Sequence, residues 1–151
     1  MKKLLTTNTE NWSALVARLV LGATVFAHGA QKLFGWFGGY GFEGTMGFLT
    51  EQVGLSNFIA FIVILIESVA AVMILAGVFT RVAALGIFGL FTIIMLKFHS
   101  ANGFFMNWAG NQKGEGIEYF IILLGVALTL IIAGGGKASV DAALVNNKNN
   151  N

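Results

Sequence analysis

The chain has 151 residues, with 20 glycines, no cysteine and no proline, and its formal net charge is +2. Hydrophobic residues make up 56% of it and charged residues only 11%, with a mean hydropathy of +0.79. A soluble domain of this length turns much of its surface to water and needs more polar side chains than that, so hydrocarbon is the solvent the composition suits. The lack of cysteine excludes disulfide exchange, thiolate catalysis, iron–sulfur clusters and cysteine-type zinc sites. The small net charge, with no basic stripe interleaved with aromatics, speaks against nucleic acid as a partner.

Four apolar segments follow one another at Trp12–Ala30, Phe58–Phe79, Val82–Phe98 and Ile117–Ala133. Each has about 17–22 residues, the length a helix needs to cross a bilayer core of ~30 Å. They predict a single all-α domain, 1–151, built as an integral membrane four-helix bundle. Glycines without prolines suit membrane helices that pack backbone to backbone. Met1-Lys2-Lys3 has the look of a signal-peptide n-region, and Ala27-His28-Gly29-Ala30 faintly that of a cleavage site. The polar run from Thr6 to Asn11 and the charge of Arg18 favour a retained first helix.

Between the first two segments, Gln31 to Asn57 is rich in glycine and carries Phe34, Trp36, Phe37, Tyr40 and Phe42. Aromatic rings of this kind belong at the headgroup layer, so the loop is predicted to be interfacial, with a short helix near Gly44–Val53. Thr80-Arg81 makes a tight turn, which sets the second and third segments antiparallel. The third connection, Ser100 to Gly116, repeats the aromatics with Phe104, Phe105 and Trp108. Gly134-Gly135-Gly136 stops the fourth helix, and the asparagine-rich tail, about 146–151, is expected to be disordered.

Four spans put Lys2, Lys3, Arg81, Lys137 and Lys148 on one side, and Lys32, Lys97 and Lys113 on the other. Cytoplasmic faces carry the excess of lysine and arginine, so both termini are expected in the cytoplasm.

Ionisable groups within a bilayer are costly and usually have a partner or a task. Arg18 and Glu67 lie deepest, at heights that differ by only ~4.5 Å at 1.5 Å per residue, and a buried Arg18–Glu67 ion pair is expected. Its task is either to pin helix register or to set the polarity of a site. Nearer the outer face are His28, His99 and Glu118, the candidate catalytic residues. Helical periodicity aligns Arg18, Gly22, Val25 and Gly29 on the first helix, Thr92 and His99 on the third, and Glu118, Gly125 and Thr129 on the fourth. These faces predict an inward-facing polar pocket of His28, Trp36, Thr92, His99 and Glu118. Histidines and a carboxylate exchange protons near neutral pH, and a lipid-accessible slot beside them suits a quinone. The alternative is that His28, His99 and Glu118 only bind loop backbone at the water boundary. A haem between His28 and His99, or a metal held by both with Glu118, lacks any supporting spacing pattern. Gly38-Gly39-Tyr40-Gly41 is not a nucleotide loop, since no strand precedes it and no phosphate-binding lysine follows.

Several runs resemble the DoxX family of small bacterial membrane proteins. They are Arg18, His28-Gly29-Ala30-Gln31-Lys32-Leu33-Phe34-Gly35-Trp36-Phe37-Gly38-Gly39, Gly44-Thr45, Glu67, and Gly77-Val78-Phe79-Thr80-Arg81-Val82-Ala83-Ala84. Asn102-Gly103-Phe104-Phe105, Gly114-Glu115-Gly116-Ile117-Glu118-Tyr119 and Gly136-Lys137-Ala138-Ser139-Val140-Asp141 complete the likeness, which spans about Ala14 to Leu144. Family members often carry a histidine after the glutamate–tyrosine pair, where Phe120 stands here. The resemblance implies a four-helix bacterial inner-membrane protein linked to redox complexes, and related members are tied to thiosulfate:quinone oxidoreductase. The expected role is a quinone-interacting subunit or accessory component, with electrons supplied by a protein partner. The alternatives are a non-catalytic scaffold or assembly partner and, without broken helices to support it, a small-solute carrier.

Overall fold

Asn11 opens the first helix, α1, Trp12–Phe34, by accepting the Ala14 amide on its side chain at 3.1 Å. That satisfies one of the N–H groups that a first turn leaves free. The structure, a computed structural model, describes residues 6–149, with side chains described as far as Val145. Helix α1 runs past its predicted end at Ala30 and stops only where Gly35 turns left-handed, φ 73°, and returns its N–H to the Ala30 carbonyl. Gln31 and Lys32 are good helix formers, and the glycine, not the polarity, ends the helix.

After a tight turn at Trp36–Gly38, helix α2 covers Gly41–Gly47 and widens into a π turn at Phe48–Gln52, within the stretch where a short helix is predicted. Its Leu49 packs on Ala60 and Ile64 of α3, Asn57–Ala76. Ser56 caps α3, which contains a π turn at Ile66–Ala70 and ends on left-handed Gly77. Helix α4, Thr80–Asn102, widens into a π turn at Met95–His99 and closes as a short 3-10 turn. Helix α5 is Glu118–Ala133 and α6 is Val140–Asn149. The backbone is thus helical through Asn149, where the sequence predicts a disordered tail; residues 150 and 151 of that tail lie outside the described residues, as do Lys2 and Lys3.

Every regular element among the described residues is helical. Helices α1, α3 and α4 are long and apolar enough to cross a membrane. Helix α5 is a shorter apolar helix of 16 residues, about 24 Å long, and packs along α4 and α1. Leu21, Val25, Ile74, Ala84, Ile87 and Leu130 are among the residues at the centre of the core.

The stripe of Arg18, Gly22, Val25 and Gly29 on α1 is buried, as its periodicity requires. Gly29 lies so close to α3 that a Cβ there would strike the backbone carbonyl of Glu67. On α5 the predicted inward stripe is corrected: Phe120, Leu123, Ala127 and Leu130 are buried, and Gly125 and Thr129 face out. With small residues on α1, the interior must be filled by bulk from its neighbours. The outside carries Val16, Leu19, Phe58, Leu85, Ile93, Ile122 and Ile132. Water-soluble monomers rarely expose so many large apolar side chains together.

One end of the bundle is stitched by charge. Arg18, 1% exposed, donates from Nη1 to the carbonyls of Leu75 at 2.9 Å and Ile74 at 3.4 Å. From Nη2 it donates to Lys137 and Ala138, each at 3.1 Å. The first two are last-turn carbonyls of α3, at the negative end of its dipole, and that of Ile74 also accepts the Gly77 N–H at 3.1 Å. Arg81 does the same for α5, donating to Ile131 and Ile132, and also to Thr6. Asp141 caps the start of α4, accepting the amides of Phe79 and Thr80 at 2.9 Å and the Thr80 hydroxyl at 2.8 Å. The expected Arg18–Glu67 pair is therefore not made. The guanidinium fork serves carbonyls at a helix end, and Glu67 has another cation.

Candidate functional site

That cation is Lys32. Its Nζ donates to Glu67 Oε2 at 2.6 Å, with the lysine side chain 25% exposed and the glutamate 2%. Because α1 continues to Phe34, Lys32 stands one turn beyond His28 on the same face. Gly29 between them lets α1 lie against the Glu67 backbone. Glu67 itself sits in the π turn of α3, and His99 closes the π turn of α4. An extra residue in a helical turn rotates the face that follows it, and such turns recur at functional sites.

His28, Lys32, Glu67 and His99 line one cavity of about 380 Å³ within the bundle, together with Glu115 and Tyr119. Phe91, Ile94, Met106 and Phe120 form its apolar walls. The His99 ring lies 4.5 Å from that of Phe120, and its Nδ1 is 2.9 Å from the Glu115 carbonyl. A carbonyl can only accept, so Nδ1 carries a proton and Nε2 is the acceptor of the neutral ring. The Asn102 amide donates to the same carbonyl at 3.0 Å and holds the loop against α4. The Tyr119 hydroxyl oxygen is buried and has no hydrogen-bond partner among the described residues.

Of the predicted site residues, His28 and His99 meet in this cavity. Glu118 does not line it. Its Oε2 accepts the Met106 amide at 3.1 Å and so folds the loop back onto the start of α5. Thr92 donates to the Phe88 carbonyl at 2.7 Å within its own helix. Trp36 is exposed and meets Phe34 at a tilt and Phe37 edge-on, outside the cavity. Lys32, Glu115 and Tyr119 were absent from the predicted pocket. The i, i+4 spacing of His28 and Lys32 is the one sequence signal that finds any of them. Among the described residues, no three His, Cys, Asp or Glu side chains gather as a metal site.

Three bilayer-length apolar helices, an apolar exterior and charged side chains gathered at a cavity within the bundle define a multi-pass helical membrane protein. Residues 13–100 match the profile of the DoxX family, and the chain belongs to that family. The match takes in His28, Lys32, Glu67 and His99, and ends before Glu115 and Tyr119. The chain is 28% identical over 120 residues to a Bacillus subtilis (strain 168) protein named "Putative oxidoreductase CatD", covering 77% of this chain and 76% of that one. No solved structure matches it.

Proposed function

We propose that the cavity binds the ring of a membrane quinone, and that the chain is a quinone-interacting subunit or accessory component of a membrane redox complex. Tyr119 carries this reading: its side chain lines a mostly apolar cavity, and its hydroxyl is a buried donor without an acceptor among the described residues. Leaving such a group unpaired costs about 1–3 kcal/mol, which a ligand carbonyl or hydroxyl would recover. The residues fit a quinone ring, with Phe91, Phe120 and Ile94 to pack its faces and Tyr119 to bond an oxygen. A bound quinone supplies redox chemistry coupled to protons at its ring oxygens. The ring nitrogens of His28 and His99 can take up or give back such protons, and the Lys32–Glu67 pair can fix the polarity of the wall. Electrons would come from a protein partner, since the chain has no cysteine and no evident cofactor motif of its own. The oxidoreductase name of the Bacillus relative agrees with this reading.

The test is saturable binding of ubiquinone and menaquinone analogues to the purified protein in nanodiscs. Tyr119→Phe and His28→Ala should each weaken binding about tenfold, the equivalent of one good hydrogen bond. Affinity unchanged in both variants would rule the quinone reading out.

We also infer that the protein resides in a bacterial inner membrane with its charge-stitched end in the cytoplasm. The support is the lysine and arginine bias toward that end, which carries Arg81 and Lys137. Single cysteines at Glu10 and Ala109, both exposed, should report it on this cysteine-free background. An impermeant thiol reagent should label Ala109→Cys in intact spheroplasts and Glu10→Cys only after lysis, and the reverse pattern would invert the topology.

A further inference from the structure

A groove runs down the outside of the bundle between α1 and α5. Its wider part, about 450 Å³, lies between Trp12, Val16 and Val20 on one helix and Val126 and Thr129 on the other. It narrows to about 100 Å³ beside Val20, Thr24, Ile122 and Val126. The two parts share Val20 and Val126, and the narrow part shares Tyr119 with the polar cavity. The Thr129 hydroxyl donates to the Gly125 carbonyl at 3.0 Å, so it asks for no polar ligand. From Thr24 to Trp12 the groove follows α1 for about 18 Å, toward the end of the bundle opposite the cavity.

We propose that this groove holds the isoprenoid tail of the quinone whose ring occupies the polar cavity, with Tyr119 at the join between ring and tail. The proposal rests on the quinone reading and names its substrate class: a long-tailed membrane quinone, not a water-soluble ring. Three observations carry it together. The groove is lined by no charged side chain where the cavity has Lys32, Glu67 and Glu115, Tyr119 lines both, and that residue's hydroxyl has no partner among the described residues. A cavity of about 380 Å³ is at the small end of ligand sites and suits a ring without its tail. Lipid hydrocarbon is as apolar as the groove, so affinity alone reports the tail poorly, and its position must be read directly.

The experiment uses the full chain in nanodiscs with ubiquinone and menaquinone probes carrying a diazirine partway along the tail, and matching probes labelled on the ring. After photolysis, tail probes should label α1 around Val16–Val20 and α5 around Val126, and excess unlabelled quinone should compete the label away. Val20→Trp and Val126→Phe, which fill the groove, should cut tail labelling at least about fivefold and leave ring labelling in place. Retained ring labelling also shows that these variants fold. Tail label spread evenly over all lipid-facing helices overturns the groove and spares the quinone reading. So does label confined to the groove that quinone does not displace, the result expected if a phospholipid chain or a partner helix lies there. Absence of competable labelling by ring and tail probes alike overturns both.

Discussion

Replacing Arg18 with methionine should destabilise the protein by about 3–5 kcal/mol, measured as loss of the folded state in a denaturing-detergent titration. Methionine fills much of the same volume but donates nothing. The carbonyls of Ile74, Leu75, Lys137 and Ala138 would then lose the group that binds all four. Ile74 keeps the Gly77 N–H, but the part-buried carbonyls of Leu75, Lys137 and Ala138 lose a charged donor. A buried acceptor left unpaired costs about 1–3 kcal/mol, less whatever local relaxation and water return. Lysine at the same place should recover only part of the loss, since one ammonium lacks the planar fork that reaches two carbonyls from each of two nitrogens. Gly77 packs against the guanidinium, so the site has little freedom to close around a smaller group. An Arg18→Met protein as resistant as the parent would show that the clamp contributes nothing.

The second large effect separates stability from function. Glu67→Ala alone should cost about 3–5 kcal/mol, because Lys32 would keep its charge in a half-buried wall without a counter-ion. Removing both charges, as Lys32→Met with Glu67→Leu, should restore most of that stability. Ion pairs out of water are commonly matched or exceeded by well-packed apolar replacements. If the pair sets the polarity of a quinone site, the double variant should be stable and yet bind quinone at least about tenfold more weakly. A double variant as unstable as Glu67→Ala would mean that the pair holds the bundle together.

The three bilayer-length helices and the shorter apolar α5 could be read from the sequence because hydrocarbon imposes run lengths that composition reveals directly. The inward face of α1 was legible for a similar reason: glycine and arginine at helical spacing leave little choice of side. The ends of helices were less so. Gln31 and Lys32 look like loop by polarity but continue α1, and that misplacement hid the counter-ion of Glu67. The expected Arg18–Glu67 pair failed for a related reason. Opposite charges at similar heights suggest each other, whereas the true partners of Arg18 are main-chain carbonyls that every residue type carries. Such acceptors leave no mark in a sequence. Glu118 was assigned to the pocket by periodicity, but its carboxylate is taken by a loop amide whose approach depends on how residues 103–117 fold back. Glu115 and Tyr119 enter the cavity through that same fold-back. The π turns at Glu67 and His99 also rotate faces in a way that an ideal period of 3.6 does not anticipate.

The clamp on Arg18 joins residues 119 and 120 positions apart in the chain. During synthesis, α1 must therefore enter the bilayer long before the carbonyls of Lys137 and Ala138 exist. Its arginine lacks two of its four carbonyl partners until that segment emerges from the ribosome. The same late segment brings Asp141 to the start of α4. This later segment closes the bundle, so a nascent chain stopped before it carries the apolar helices but lacks the clasp that fastens them.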